Sequence, residues 1–166
     1  RVPIIGIVKR DLSDSPVRIT VTVEDARALI AAGADIVAYD ATARPRTDRR
    51  EDIVAAILDG GAIAMADCST FEDAQAAIAE GAGIIGTTLS GYTEETATGD
   101  DRPDFDLIRR FRDLDSFVMA EGRFNTPELA AGAIASGADA VTVGSALTRL
   151  EIVTGWFTEA VRGHDD

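Results

Sequence analysis

TVEDARALIAAGADIV, residues 22–37, returns as TFEDAQAAIAEGAGII at 70–85 and as NTPELAAGAIASGADAV at 125–141. Gly33, Gly81 and Gly137 hold equivalent places, 48 and 56 residues apart. That period is too long for one βα unit and fits two. Each copy reads the same way. Thr22, Thr70 and Thr126 are N-cap residues whose hydroxyls accept from free amides of the first turn. Asp25 and Asp73 follow three residues on, favourable at the positive end of the helix dipole. Pro127 takes the first helical position, where a missing N–H costs little. An alanine-rich helix runs on to the glycine, which stops it in the left-handed cap conformation. A strand comes next: DIVAYD, GIIGTT or DAVTVG.

Ahead of each copy lies another strand, PIIGIVK at 3–9, AIAMAD at 62–67 and FVMAE at 117–121. Further helices are expected near 49–58, 104–112 and 150–162. The pattern predicts six strands and six helices in strict alternation, with no strand pair close enough for a hairpin. Apolar strands buried on both faces and joined by helices make a parallel α/β sheet.

The 166 residues suit one domain with its own core, and 46% apolar content argues against disorder. A net charge of −13 leaves no basic face for nucleic acid, although local groups and backbone amides still suit a small anion. No apolar run reaches the length of a membrane span, and no secretory leader precedes the first strand. With the single Cys68 there is no internal disulfide framework, so a cytoplasmic protein is expected. The one histidine, His164, sits in a polar tail, which argues against histidine metal sites and serine–histidine triads. The first residue is Arg1, close against a strand, so the chain is expected to be a piece of something longer.

Parallel α/β proteins place their sites at the C-terminal ends of the strands. There stand Lys9, Asp40, Asp67, Thr87 with Thr88, Glu121 with Arg123, and Gly144 with Ser145. Lys9 is either a lysine snorkelling into solvent or a base in a partly enclosed mouth, its pKa lowered by burial or by a cation such as Arg10 or Arg123. Glu121 is either reactive or the partner of Arg123 in a structural ion pair. Asp67 either serves the site or caps the following helix. Asp40 reads as structural or substrate-orienting, and Cys68 as a small buried hydrophobe. At Gly144–Ser145 a strand turns directly towards a helix, which lets backbone amides approach an anion, and Arg149 follows four residues later. Gly122, Arg123 and Asn125 add to that expectation. The long polar loop 89–104 reads as a mobile cover or a solvated insertion, with Tyr92 its one residue suited to packing on a sugar.

PIIGIVKRDLSDSPVRIT, ADCSTFEDA, GAGIIGTTLSGYT, VMAEGRFNTP and DAVTVGSALTRLE together resemble the N-acylglucosamine-6-phosphate 2-epimerases, also called N-acetylmannosamine-6-phosphate 2-epimerases. The resemblance covers essentially the whole chain. It implies a TIM-type (β/α)8 barrel that interconverts N-acetylmannosamine 6-phosphate and N-acetylglucosamine 6-phosphate in sialic acid catabolism, with no metal or other cofactor. It places the acid/base lysine at Lys9 and the facing glutamate at Glu121, with Arg123 in the same element. Asp67 then holds sugar hydroxyls or the N-acyl end, and Gly144, Ser145 and Arg149 grip the 6-phosphate. Members of that family carry two further βα units before PIIGIVK, so this chain holds six of eight units as one partial barrel domain. The partners expected are a phosphosugar and, as an assembly, a homodimer; nucleic acid and membrane are not expected. The alternatives are a non-catalytic sugar-phosphate-binding or assembly fragment, or another barrel such as a ribulose-phosphate epimerase.

Overall fold

A computed structural model describes residues 1–97 and 99–163; His164 lies outside the described residues. Six strands form one sheet in the order of the chain, every neighbouring pair parallel. They are β1 (Ile5–Gly6), β2 (Ile36–Asp40), β3 (Ile63–Asp67), β4 (Ile84–Gly86), β5 (Phe117–Glu121) and β6 (Ala140–Thr142). The helices are α1 (Val23–Ala31), α2 (Arg50–Asp59), α3 (Phe71–Glu80), α4 (Phe105–Phe111), α5 (Pro127–Ala135), α6 (Ser145–Thr148) and α7 (Leu150–Arg162). This is an open TIM-barrel fragment.

The repeat does what its residues dictate. Thr22, Thr70 and Thr126 cap α1, α3 and α5 by accepting from the amides of Asp25, Asp73 and Leu129. Gly33, Gly81 and Gly137 follow these helices at φ of 97°, 105° and 109°, where any Cβ would be strained. The aspartate two residues after the first and third of these glycines has its own task. Asp35 accepts from the Ile4 amide at 2.9 Å and Asp139 from the Val118 amide at 2.8 Å, so each anchors the start of the neighbouring strand.

Side chains alternate across the sheet with period two. Val37, Tyr39, Ala64, Ala66, Ile85, Val118 and Ala120 face the helices and join the main core with Ile53, Ile57, Leu107, Ile108 and Phe111. Full burial of a side chain such as Phe111 contributes roughly 1.5–3 kcal/mol. The other, inner face carries only the small cluster Ala38, Met65, Ile84 and Met119. Below that cluster Ile5, Ile63 and Phe117 are exposed. Above it, in the same alternation, come Asp40, Asp67, Thr88 and Glu121.

Two expectations need correction. The first strand does not run through residues 3–9, because the chain returns beside it and takes up its hydrogen bonds. Lys9 forms an antiparallel bridge with Ile19, the amides of Arg10 and Thr20 reach the carbonyls of Arg18 and Val8, and Ile19 in turn accepts from Asp40. A short local pairing therefore exists where none was expected. Among the described residues there are seven helices rather than six, since α6 forms a separate turn before α7. The loop 89–104 is also tied down over its first half: the hydroxyls of Ser69, Thr93 and Thr96 meet at 2.6–2.9 Å, and Thr93 is buried.

Candidate active site

A cleft of about 850 Å³ opens at the C-terminal ends of the strands. Lys9, Thr88, Glu121, Gly122, Arg123, Asn125, Thr142, Gly144 and Ser145 line it, with Tyr92, Ile152 and Trp156 among its apolar walls. Asp67 stands behind this lining, 1% exposed, joined to it through Thr88, whose Oγ1 hydrogen-bonds Asp67 Oδ1 at 2.7 Å. The second carboxyl oxygen of Asp67 is buried with no hydrogen-bond partner.

Burial, and then the neighbouring Glu121 carboxylate, push Asp67 well above the usual carboxylate range, with Asp40 adding to the rise; the Thr88 hydroxyl and Lys9 pull the other way. Glu121 is raised too, by burial, against the opposing pull of the Thr88 hydroxyl and Lys9. A pair of carboxyls at one mouth therefore holds a proton more readily than free acids do.

The alternatives for single residues now resolve. Asp67 does not cap α3: Thr70 and Asp73 form the capping box, each accepting from the other's amide at 3.0–3.1 Å. Glu121 and Arg123 form no ion pair. Arg123 donates to the Ser90 carbonyl at 2.8 Å and lies over the Tyr92 ring at 5.0 Å. Its φ of 63° follows Gly122 at 99°, two successive left-handed residues that turn the chain sharply after β5. Gly91 makes room for it, since a Cβ there would stand 2.2 Å from Arg123 Nη1.

Arg10 does not serve Lys9. Its guanidinium is held by Asp25 in contacts of 2.5–3.2 Å; burial pushes the Asp25 pKa up, but Arg10 and the hydrogen bonds from Thr22 together bring it below the usual value. Nor is Lys9 enclosed: it is exposed, although its backbone bridges Ile19. Asp40 is structural, accepting from Thr42 and from both Arg44 and Arg46. Cys68 is fully buried, and burial pushes its thiol up. Arg149 is outside the cleft lining, exposed and paired with Glu151.

Gly144 has φ −97°, and nothing stands within 4 Å of where a Cβ would be. Its ψ of −96° lies outside the helical and extended regions, which itself favours glycine, and the residue lines the cleft. Leu147 is the first amide of the turn to find a carbonyl, that of Gly144 at 2.9 Å. Among the described residues no group of three or more His, Cys, Asp or Glu is placed to hold a metal ion. No described helix is long and apolar enough to cross a membrane.

Sequence reasoning did not single out Arg44 and Arg46, although two arginines four and six residues past a strand-end aspartate were a usable signal. Thr88 was noticed only as part of a strand end. Trp156 and Ile152 carried no signal, because nothing local says that α7 folds back over the mouth.

Comparison with known proteins agrees with this geometry. A family model described as "Putative N-acetylmannosamine-6-phosphate epimerase" matches residues 1–163. A protein of that description from Vibrio cholerae is 58% identical over 164 residues, spanning 97% of this chain and 66% of the relative. A "Bifunctional enzyme NanE/NanK" from Brucella melitensis is 56% identical over 96% of this chain, which corresponds to 30% of its own length. The solved structure of the N-acetylmannosamine-6-phosphate 2-epimerase from Clostridium perfringens superposes with a TM-score of 0.91 at 38% identity, covering 95% of this chain and 70% of that one. The chain thus spans about two thirds of the length of the first of these curated relatives. It belongs to the N-acetylmannosamine-6-phosphate epimerase family.

Proposed function

We propose that this chain carries the reacting groups of an enzyme that interconverts N-acetylmannosamine 6-phosphate and N-acetylglucosamine 6-phosphate. The observation that supports it best is one shared cleft, with Lys9 and Glu121 in its lining and the Gly144–Ser145 turn in the same wall. In the open-chain sugar the C2 proton is acidified by the neighbouring carbonyl. Inversion removes that proton from one face and returns one to the other, through an enolate whose charge needs a cation or a donor nearby. Lys9 serves as acid/base at C2, and Glu121 faces it across the cleft.

Asp67 supports Glu121 from behind. Gly122, Arg123 and Asn125 hold the sugar, with Tyr92 as a flat wall. The amides at Gly144 and Ser145 take the 6-phosphate, and Arg149 joins them when it exchanges Glu151 for the phosphate. Remote phosphate binding positions the reacting carbon. The reading includes a single partial barrel domain, a cytoplasmic setting in keeping with the unpaired Cys68, and a homodimer in keeping with the exposed Leu150, Phe157 and Val161 on α7.

The test supplies the chain with the remaining third of a relative and adds N-acetylmannosamine 6-phosphate. Conversion to the gluco epimer, followed by NMR, is the expected result. Calorimetric binding without conversion would overturn the enzyme reading and leave a sugar-phosphate-binding fragment in its place.

A further inference from the structure

Gly122 at φ 99° and Arg123 at 63° are successive left-handed residues, and a non-glycine residue persists there only where its surroundings hold it. For Arg123 the surroundings are the loop after β4. Its Nη2 donates to the Ser90 carbonyl at 2.8 Å. Its guanidinium fills the recess over Gly91, where a Cβ would stand 2.2, 2.7 and 2.9 Å from Nη1, Nη2 and Cζ. The same group lies 5.0 Å from the centre of the Tyr92 ring, within range of a cation–π contact. Its Nε is buried with no hydrogen-bond partner. A guanidinium placed for its hydrogen bonds would satisfy Nε; this one is placed for the flat face it presents to loop and ring.

Gly91 and Arg123 line both the cleft and a neighbouring hollow of about 520 Å³, so they belong to the partition between the two. Tyr92 lines the cleft alone and is 58% exposed. A ring so exposed loses rotamer freedom when a ligand settles on it, unless something already backs it. We propose that Arg123 is a positioning residue: it holds the sugar through Tyr92, fixing the ring as a flat wall of the cleft, rather than by touching the sugar itself. Glu121 stands two residues earlier, so the end of one strand sets both the reacting carboxyl and the support of the ring. The inference deepens the proposed function and rests on its reading of Tyr92 as a wall that meets the sugar.

The test reads the Tyr92 ring by NMR and the dissociation constant for N-acetylglucosamine 6-phosphate by calorimetry, both in the 166-residue chain. In ligand-free Arg123→Gln and Arg123→Lys the Tyr92 resonances should move to those of a freely turning tyrosine. Those of the buried Tyr39 should stay in place and report an intact core. Arg123→Gln should weaken binding about 5–10-fold, but by less than about twofold once Tyr92→Ala has removed the ring. Arg123→Lys should weaken it as much, because lysine keeps the charge and loses the flat face. Equal losses with and without the ring would show that Arg123 touches the sugar and overturn the proposal. So would a Tyr92 ring unmoved in both Arg123 variants, a readout that needs no ligand. A wild-type chain that binds no phosphosugar overturns this inference and the proposed function together. Binding with the expected dependence on the ring, but no conversion in the completed chain, refutes the proposed function alone; conversion with equal losses refutes this inference alone.

Discussion

Asp40 and Asp67 end adjacent strands and are partners in register, and each is 1% exposed. Their surroundings differ completely. Asp40 accepts from the Thr42 amide and hydroxyl and from two guanidinium groups. Asp67 has one hydroxyl and an oxygen with nothing to bond. Position on the sheet does not separate a structural carboxylate from a chemical one; satisfaction does. A buried charge with all its partners locks the loop after β2, whereas a buried carboxyl left short holds a proton and remains available to its neighbour.

The largest expected effect breaks the satisfied side. Asp40→Ala leaves Arg46, whose side chain is only 8% exposed, without a carboxylate. Removing one partner of such a buried pair should cost about 3–5 kcal/mol in urea unfolding. A loss below about 1 kcal/mol would show that the arginines relax into solvent and that Asp40 is not the anchor.

Gly91→Ala attacks the cleft wall. It puts a side chain at φ +80° and against Arg123. Backbone strain of this kind costs of order 1–3 kcal/mol, visible in thermal unfolding, and the Arg123–Tyr92 contact should be lost from NMR shifts of the tyrosine ring.

Asp67→Asn sharpens the contrast through pH. Because folding raises the Asp67 pKa, the folded chain keeps a proton that the unfolded chain releases. The stabilisation is full below the unfolded aspartate pKa of about 3.9 and falls as pH rises towards the folded value, by up to about 1.4 kcal/mol per unit. Asp67→Asn should remove that part of the decline, as read from urea melts between pH 4 and 8. If the variant's stability followed the wild type's pH dependence, Asp67 would be an ordinary ionised carboxylate. The smallest effect is at the exposed Arg149–Glu151 pair, where Glu151→Ala should leave the melting midpoint unmoved.

The parts of this molecule that were readable in advance are those coded within about twenty residues. Thr22, Thr70 and Thr126 each cap the helix that follows by accepting from an amide three residues on, and the glycines end the same helices. Alternation along FVMAE places Glu121 on the inner face by parity with Met119. What escaped depends on distant or returning chain. The bridge between Lys9 and Ile19 shortens β1, yet nothing in PIIGIVK says that residues 17–21 will take its hydrogen bonds. Arg10 looked like a neighbour for Lys9, but Asp25, fifteen residues on, holds it. Thr88 became meaningful only when Asp67, from another strand, met its hydroxyl.

The central claim is that Lys9 and Glu121 act on the same carbon. Its most direct test is deuterium uptake at C2 of N-acetylmannosamine 6-phosphate in heavy water, with the chain completed by the remaining third of a relative. The wild type should exchange C2 hydrogen with solvent, and Lys9→Ala and Glu121→Gln should each slow exchange by roughly 10²–10⁴-fold. Exchange at the wild-type rate in Lys9→Ala would contradict the account.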